Sequence, residues 1–234
     1  MKKNHNQKII VLRKKIDENE VLEIIDDKKT TLFKSLFLRP KKNDVHIHSV
    51  KLYYECILMI SGKYMANYFR KATHSISVHS NVSEVILGDG VFPVQTKSNF
   101  KKAIVGKRGK NKIDLKLEEH VFVENEDELT FDHHGKEIKF PFKLNSKTTE
   151  NYPNRILEKN SSNVKNSELT HDDAIKKLQS FLKKPLESEV RQLEEEFVLR
   201  EISEVYVPIY ESRLIGPKKK IAIIRIDAVR NKIL

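Results

Sequence analysis

Between Val45 and Leu87 the sequence carries a side-chain pattern that extended strands accommodate best, and this limits the fold more than any other feature. Val45, Ile47 and Ser49 alternate with His46, His48 and Val50, the period of two that sends neighbouring side chains to opposite faces of a sheet. The run Leu52-Tyr53-Tyr54-Glu55-Cys56-Ile57-Leu58-Met59-Ile60 predicts a long apolar strand. Ser61-Gly62 then reads as a hairpin turn, with Lys63 to Phe69 as the returning strand. His74 to His79 alternates again, and Val82 to Leu87 supplies another strand before Gly88-Asp89-Gly90. The expectation is an antiparallel meander.

The flanking segments fill in an α+β protein. Lys8 to Ile16 predicts a strand, and Asp17-Glu18-Asn19 a turn into Val21 to Ile25. Thr30 or Thr31 could cap a short helix whose Leu32, Phe33, Leu36 and Phe37 share a face, ended by Arg39-Pro40. Further on, Ile113 to Leu117, His120 to Val123 and Leu129 to Phe131 read as short strands. The turn Asp132-His133-His134-Gly135 then leads to Ile138 to Phe142 as a second hairpin arm. Residues 143–169 lose periodicity and fill with Asn, Ser, Thr and Lys, the composition of a linker. Thr170-His171-Asp172-Asp173 is a capped helix start, and Ala174, Ile175, Leu178, Phe181 and Leu182 follow at helical spacing. Pro185 stops that helix, and Ser188 would cap a second one carrying Val190, Leu193 and Phe197. Val205 to Ile215 and Lys220 to Ile226 form a closing hairpin across Gly216-Pro217. The predicted organisation is an antiparallel β-rich domain over 1–142, a linker over 143–169, and a small helix-helix-hairpin domain over 170–234. Sliding Tyr54-Glu55 onto Tyr210-Glu211 also lays Leu58 on Leu214, Lys63 on Lys219, Ala66 on Ala222 and Ala72 on Ala228, a candidate duplication of the hairpin.

Charge points to partners. The chain has 234 residues and a net charge of +11, and residues 94–112 hold seven of its Lys/Arg with no acid. The positive charge is therefore a local feature rather than a general one. Lys97, Lys101, Lys102, Lys107, Arg108, Lys110 and Lys112 are interrupted by Phe100, Gly106 and Gly109. Such a stretch can neutralise phosphates along a nucleic-acid backbone, with Phe100 stacking on a base. It could equally meet an anionic membrane surface or an acidic protein. Lys218-Lys219-Lys220 at the closing hairpin is a charged tip of the routine kind. The apolar run Ile9 to Leu12 is too short for a secretory signal, and no run approaches the roughly 20 residues of a membrane helix, so a cytoplasmic protein is expected.

Other constellations carry less. His46 and His48 share a strand face, and His74, His79 or His120 could add a third metal ligand, but no carboxylate or second cysteine stands at ligand spacing near them. Asp132-His133-His134-Gly135 reads as a water-exposed hairpin tip with no cavity to shift a pKa. Cys56 reads as a small core residue, and Glu55 within its apolar strand calls for water or a partner such as Arg70 or Arg225. No nucleotide-binding glycine loop, nucleophile elbow or zinc-protease helix motif is present, so no catalytic residue, metal ligand or cofactor is assigned.

The segment from Thr170-His171-Asp172-Asp173-Ala174-Ile175 to Ile226-Asp227-Ala228-Val229-Arg230-Asn231-Lys232-Ile233-Leu234 resembles a PepSY-type module. Asp227-Ala228 and Lys232-Ile233-Leu234 match that family's ending, with Arg230-Asn231 where it usually carries threonine-glycine. The resemblance implies a helix packed on antiparallel strands and a regulatory role toward peptides or peptidases. The sequence as a whole favours a non-catalytic binding or assembly module contacting nucleic acid or an acidic protein through the basic stretch. The alternatives are an enzyme or metal-dependent protein using the histidines, and a regulatory peptide-binding module.

Overall fold

The protein is described here by a computed structural model covering residues 6–34, 40–94, 111–186 and 189–234. Leu36, Phe37, Arg39 and Ser188 of the expected helices, and residues 95–110 of the basic stretch, lie outside the described residues. Among the described residues 52% are in strands and 21% are helical, so sheet supplies the frame, as an α+β reading requires.

The strands are β1 (Asn6–Val11), β2 (His46–Val78), β3 (Glu84–Leu87), β4 (Gly90–Pro93), β5 (Asn111–Phe131), β6 (Val164–Lys165), β7 (Val190–Ile215), β8 (Ile221–Asp227) and β9 (Lys232–Ile233). The helices are α1 (Glu18–Lys28), α2 (Pro153–Lys159) and α3 (His171–Leu182). The main sheet has the order β5-β2-β7-β8-β9. β1 adds to β7 in parallel, and β6 adds to β2 in parallel. β3 and β4 form a separate antiparallel pair.

Several segments depart from the sequence expectation, each for a physical reason. Ser61-Gly62 is not a turn, because β2 runs through it without a break. Tight hairpin turns need positive φ, and Gly62 does not have it. Its missing side chain serves packing instead. A Cβ there would sit 3.1 Å from Leu178 Cδ2, from Phe197 Cζ and from the Val198 carbonyl oxygen. Gly62→Ala should therefore cost about 1–3 kcal/mol of stability by urea denaturation, as overpacking does. The candidate duplication loses its basis, since residues 54–72 are one strand whereas β7 and β8 are a true hairpin pairing Ile209 with Asp227 through to Ile215 with Ile221. The three short strands expected between Ile113 and Phe131 are the single strand β5. The second C-terminal helix is instead the start of β7, where sheet partners override a helical spacing of three apolar residues. Residues 143–169 hold α2 and β6 and are not a structureless linker.

Two compact units result, with boundaries other than the expected ones. Unit 1 comprises 1–63, 126–182 and 197–234, and unit 2 comprises 64–125 and 183–196. Composition could not reveal this division, because β2, β5 and β7 each contribute residues to both units.

In unit 1 the sheet is covered on both faces. Helix α1 is started by a capping box in which the Asp17 carboxylate accepts from the Asn19 and Glu20 amides while Glu20 accepts from the Asp17 amide. Its Val21 and Ile25 pack with Phe33, Tyr210, Leu214, Ile224 and Ile226. Val11, Tyr54, Cys56 and Tyr206 form a neighbouring cluster against Ile156 and Leu157 of α2. Ile57, Val205, Val207 and Ile209 are covered by Ile138, Phe140 and Phe142. Helix α3 begins at the expected place, with the Thr170 hydroxyl accepting from the Asp173 amide at 3.2 Å. In unit 2, Phe69 stacks on His120 at 4.4 Å and Arg70 pairs with Glu119 at 2.8 Å, contacts that tie β2 to β5.

Candidate functional site

The sheet register of unit 1 brings acids and bases together where the sequence scatters them. Glu55 of β2 stands opposite Lys165 of β6, and Glu211 of β7 opposite Arg225 of β8. Glu55 Oε1 accepts from Lys165 Nζ at 2.9 Å and from Arg225 Nη2. Lys165 Nζ and Arg225 Nε each lie 3.8 Å from Glu211 Oε2. The Lys165 ammonium also sits 4.5 Å from the centroid of the Tyr53 ring. The Glu55 side chain is only 6% exposed, whereas Lys165 and Arg225 keep 34% and 31% of theirs in contact with solvent. Two cations thus reach inward from the surface to neutralise one buried carboxylate.

A third group comes from the turn after β5. The Asp132 carboxylate accepts from the His134 and Lys136 amides at 3.0 and 2.9 Å, and Gly135 supplies a φ of 77° to close the loop. The turn is therefore built as expected, but it is not an exposed tip without a cavity. It places His133 Nδ1 3.5 Å from Glu55 Oε2, with the imidazole mostly buried. The turn's second histidine, His134, faces Glu168 at 3.0 Å, and the Glu168 amide donates to the His133 carbonyl at 2.8 Å.

Burial alone would raise the Glu55 carboxyl. Lys165, Arg225 and His133 outweigh that cost and hold it below the ordinary carboxylate value. Burial lowers the His133 imidazole, and the attraction of Glu55 only partly opposes it. The cluster therefore keeps an ionised carboxylate beside a histidine that resists protonation.

Open space adjoins these groups. A cavity of about 540 Å³ is lined by His133, His134, Lys165, Glu211, Ile223 and Arg225. A smaller one of about 250 Å³ shares His133 and Arg225 and reaches Glu55, Phe142, Asp227 and Arg230. Asp227 is fully buried. Its carboxylate accepts from the Val229 and Arg230 amides at 2.8 and 3.0 Å and from Arg230 Nε at 2.6 Å. The Asp227-Ala228 pair thus shapes the turn out of β8, and the Arg230 guanidinium lies 4.9 Å from the Phe142 ring centroid. Chemically, the arrangement is a charge-balanced brace joining β2, β6, β8 and the turn after β5. Each Glu55 oxygen already faces a basic group of the same chain.

Of the residues singled out in the basic stretch, Lys97, Phe100, Lys101, Lys102, Lys107, Arg108 and Lys110 lie outside the described residues. Lys112 is exposed at the start of β5, beside the buried Asn111, whose Nδ2 donates to the Ser80 carbonyl at 3.2 Å. The histidines are dispersed. His46 and His48 begin β2, His74 Nε2 lies 2.6 Å from Glu119, and His79 Nδ1 accepts from the Asn81 amide at 3.3 Å. Among the described residues no group of three or more His, Cys, Asp or Glu is placed to hold a metal ion. The Cys56 thiol is buried, and burial, with Glu204 nearby, pushes it up to about 12, far from a reactive thiolate. Arg225 is the partner that Glu55 required, while Arg70 serves Glu119 in unit 2. Unit 2 has its own open trough of about 680 Å³, where Lys71, Lys116 and Arg191 mix with Glu118 and Glu189.

His133 and Lys165 escaped the sequence reading, since nothing local marks a turn histidine or a linker lysine as facing a strand carboxylate. No family model, curated protein or solved structure matches the chain. Among the described residues no helix is long and apolar enough to cross a membrane.

Proposed function

We propose that the chain is a non-catalytic binding module of the cytoplasm that meets a polyanion through the basic stretch of unit 2. The observation that carries this reading is where the stretch begins and ends. The Val94 amide donates to the Ser83 carbonyl at 2.9 Å, and Asn111 donates to Ser80 at 3.2 Å. Six cations and no acid therefore lie between two anchored ends, with the seventh, Lys112, exposed beside the second. Concentrated charge of this kind gains affinity by releasing counterions from a polyanion. The ion cluster of unit 1 favours the same reading, because its acids and bases are spent on one another in bracing the sheet.

Heparin, a polyanion with neither bases nor lipid, is the direct probe. Its affinity for the full chain should fall steeply with salt. The variant Lys101→Ser/Lys102→Ser/Lys107→Ser/Arg108→Ser should lower the slope of log affinity against log salt by about 3–4, somewhat under one for each of the four charges removed. Binding indifferent to both salt and these substitutions would remove the reading.

A further inference from the structure

The cover that Ile138, Phe140 and Phe142 lay over Ile209 does not reach the first half of β8. Ala222, Ile224 and Ile226 of that strand point to the opposite face, where Val21, Ile25 and Phe33 pack. Ile221, Ile223 and Arg225 alternate with them, and Ile221 is 71% exposed and Ile223 51%. One edge of β8 is also open. Its inner edge pairs with β7, and β9 covers the outer edge only as far as Arg225, whose carbonyl accepts from the Leu234 amide at 2.9 Å. Backbone groups alternate between the two edges, so the amides and carbonyls of Ile223 and Ile221 point outward as well. The Lys220 carbonyl points inward and accepts from the Gly216 amide at 2.8 Å. Among the described residues no strand pairs with Ile221 or Ile223 on the outer side.

We infer that this free edge takes an extended acidic segment of a partner protein as an added strand. Three observations select that occupant. Outward amides and carbonyls are the template that strand addition uses, and Ile221 and Ile223 give the added strand apolar side chains to cover. A cavity of about 540 Å³, bordered by Ile223, Arg225 and Leu234, leaves room for a side chain set opposite Ile223. The third observation is charge. Lys218, Lys219 and Lys220 are exposed just before the free edge, and exposed Arg213 is the cross-strand partner of Ile223. None of these four cations has an acidic partner among the described residues. The acids bordering the same cavity are engaged already, Glu211 at 3.8 Å from Lys165 and Arg225, and Glu168 at 3.0 Å from His134. An acidic strand therefore meets unanswered positive charge. A second copy of this chain does not fit, since pairing β8 with itself about Ala222 sets Lys219 of each copy against Arg225 of the other. Every residue involved belongs to unit 1, so the inference goes beyond the polyanion reading of unit 2 and does not depend on it.

The probe is a fluorescein-labelled peptide, Glu-Glu-Val-Thr-Val-Thr-Val-Glu-Glu, titrated with the full chain and followed by anisotropy. It should bind about tenfold or more tighter than the same peptide with Lys in place of Glu. Equal affinities, or no binding of the Glu peptide, would overturn the inference. Ile223→Pro removes an outward amide and no inward one, a change that edge strands accept, and should weaken binding about tenfold. Parent affinity in this variant, folded by circular dichroism, would also overturn it. Amide exchange in the parent reads the edge without any substitution. The Ile221 and Ile223 amides should exchange faster than those of Ala222 and Ile224, and slow when the peptide is added. Exchange at Ile221 and Ile223 that the bound peptide leaves unchanged would sink the added strand. The variant Lys101→Ser/Lys102→Ser/Lys107→Ser/Arg108→Ser should bind the peptide as the parent does, whatever its loss toward heparin. Loss of peptide binding in that variant would move the contact to unit 2 and end the inference.

Discussion

Arg225→Met is expected to destabilise the protein by about 3 kcal/mol in urea denaturation, more than Glu55→Gln at the other end of the same ion pair, about 1–2 kcal/mol. The asymmetry follows from burial. Losing Arg225 leaves the nearly inaccessible Glu55 carboxylate with Lys165 alone as its hydrogen-bonded cation, and Glu55 cannot move to water. Losing the Glu55 charge leaves Arg225 and Lys165, whose side chains are each about a third exposed and still face Glu211. The double variant Arg225→Met/Glu55→Leu should recover most of the loss, because two apolar groups leave no buried charge. Equal single-variant losses, or a double variant no better than Arg225→Met, would show that the pair is not the stabilising contact described here.

The pH dependence of stability tests the same cluster. Glu55 titrates in the folded protein below its ordinary 4.5, so its contribution is complete above that value and disappears as pH falls through the lowered folded value. His133 titrates in the folded protein below 6.5. From about 6.5 downward the unfolded chain therefore takes the proton first, and stability again falls with acid. Both groups act in one direction, and urea midpoints should decline in two steps on acidification. His133→Gln should flatten the upper step and also shrink the lower one, since it removes one of the groups that lower Glu55. In Arg225→Met the deficit should shrink toward acid, as protonation removes the stranded charge.

Asp227→Ala should cost a similar amount, about 3 kcal/mol. The side chain is fully buried, and its removal orphans the Val229 and Arg230 amides and the Arg230 guanidinium together. Asp227→Asn keeps an oxygen for the two amides and loses only the ion pair, so about 1 kcal/mol is expected. Thermal melting of both variants checks this. Equal losses in the two would place the stabilising effect in the charge rather than in the turn.

How much of this was legible in the sequence differs by element. The apolar run through Cys56 and Ile57 announced a strand, and Thr170 announced the start of α3, because both signals are local. The continuation of β2 through Gly62 was not legible, since a glycine chosen for close packing and one chosen for a turn look alike until Leu178 and Phe197 are in place. The start of β7 misled in the same manner. Val190, Leu193 and Phe197 have helical spacing, and only sheet pairing decides for a strand.

By itself the sequence determined an α+β chain rich in strands, the cluster of cations over 94–112, and the choice of Glu55 between water and a partner such as Arg70 or Arg225. Composition, period and the cost of burying a charge are properties that a chain carries before it folds. Only the tertiary structure decided which groups meet. Sheet register set Glu55 against Lys165 and Glu211 against Arg225, and a turn far along the chain delivered His133 to the same carboxylate. The separate pairing of β3 with β4 left Ile86 and Val91 facing water. Register and exposure depend on contacts between residues many positions apart, and local sequence carries no record of those distances.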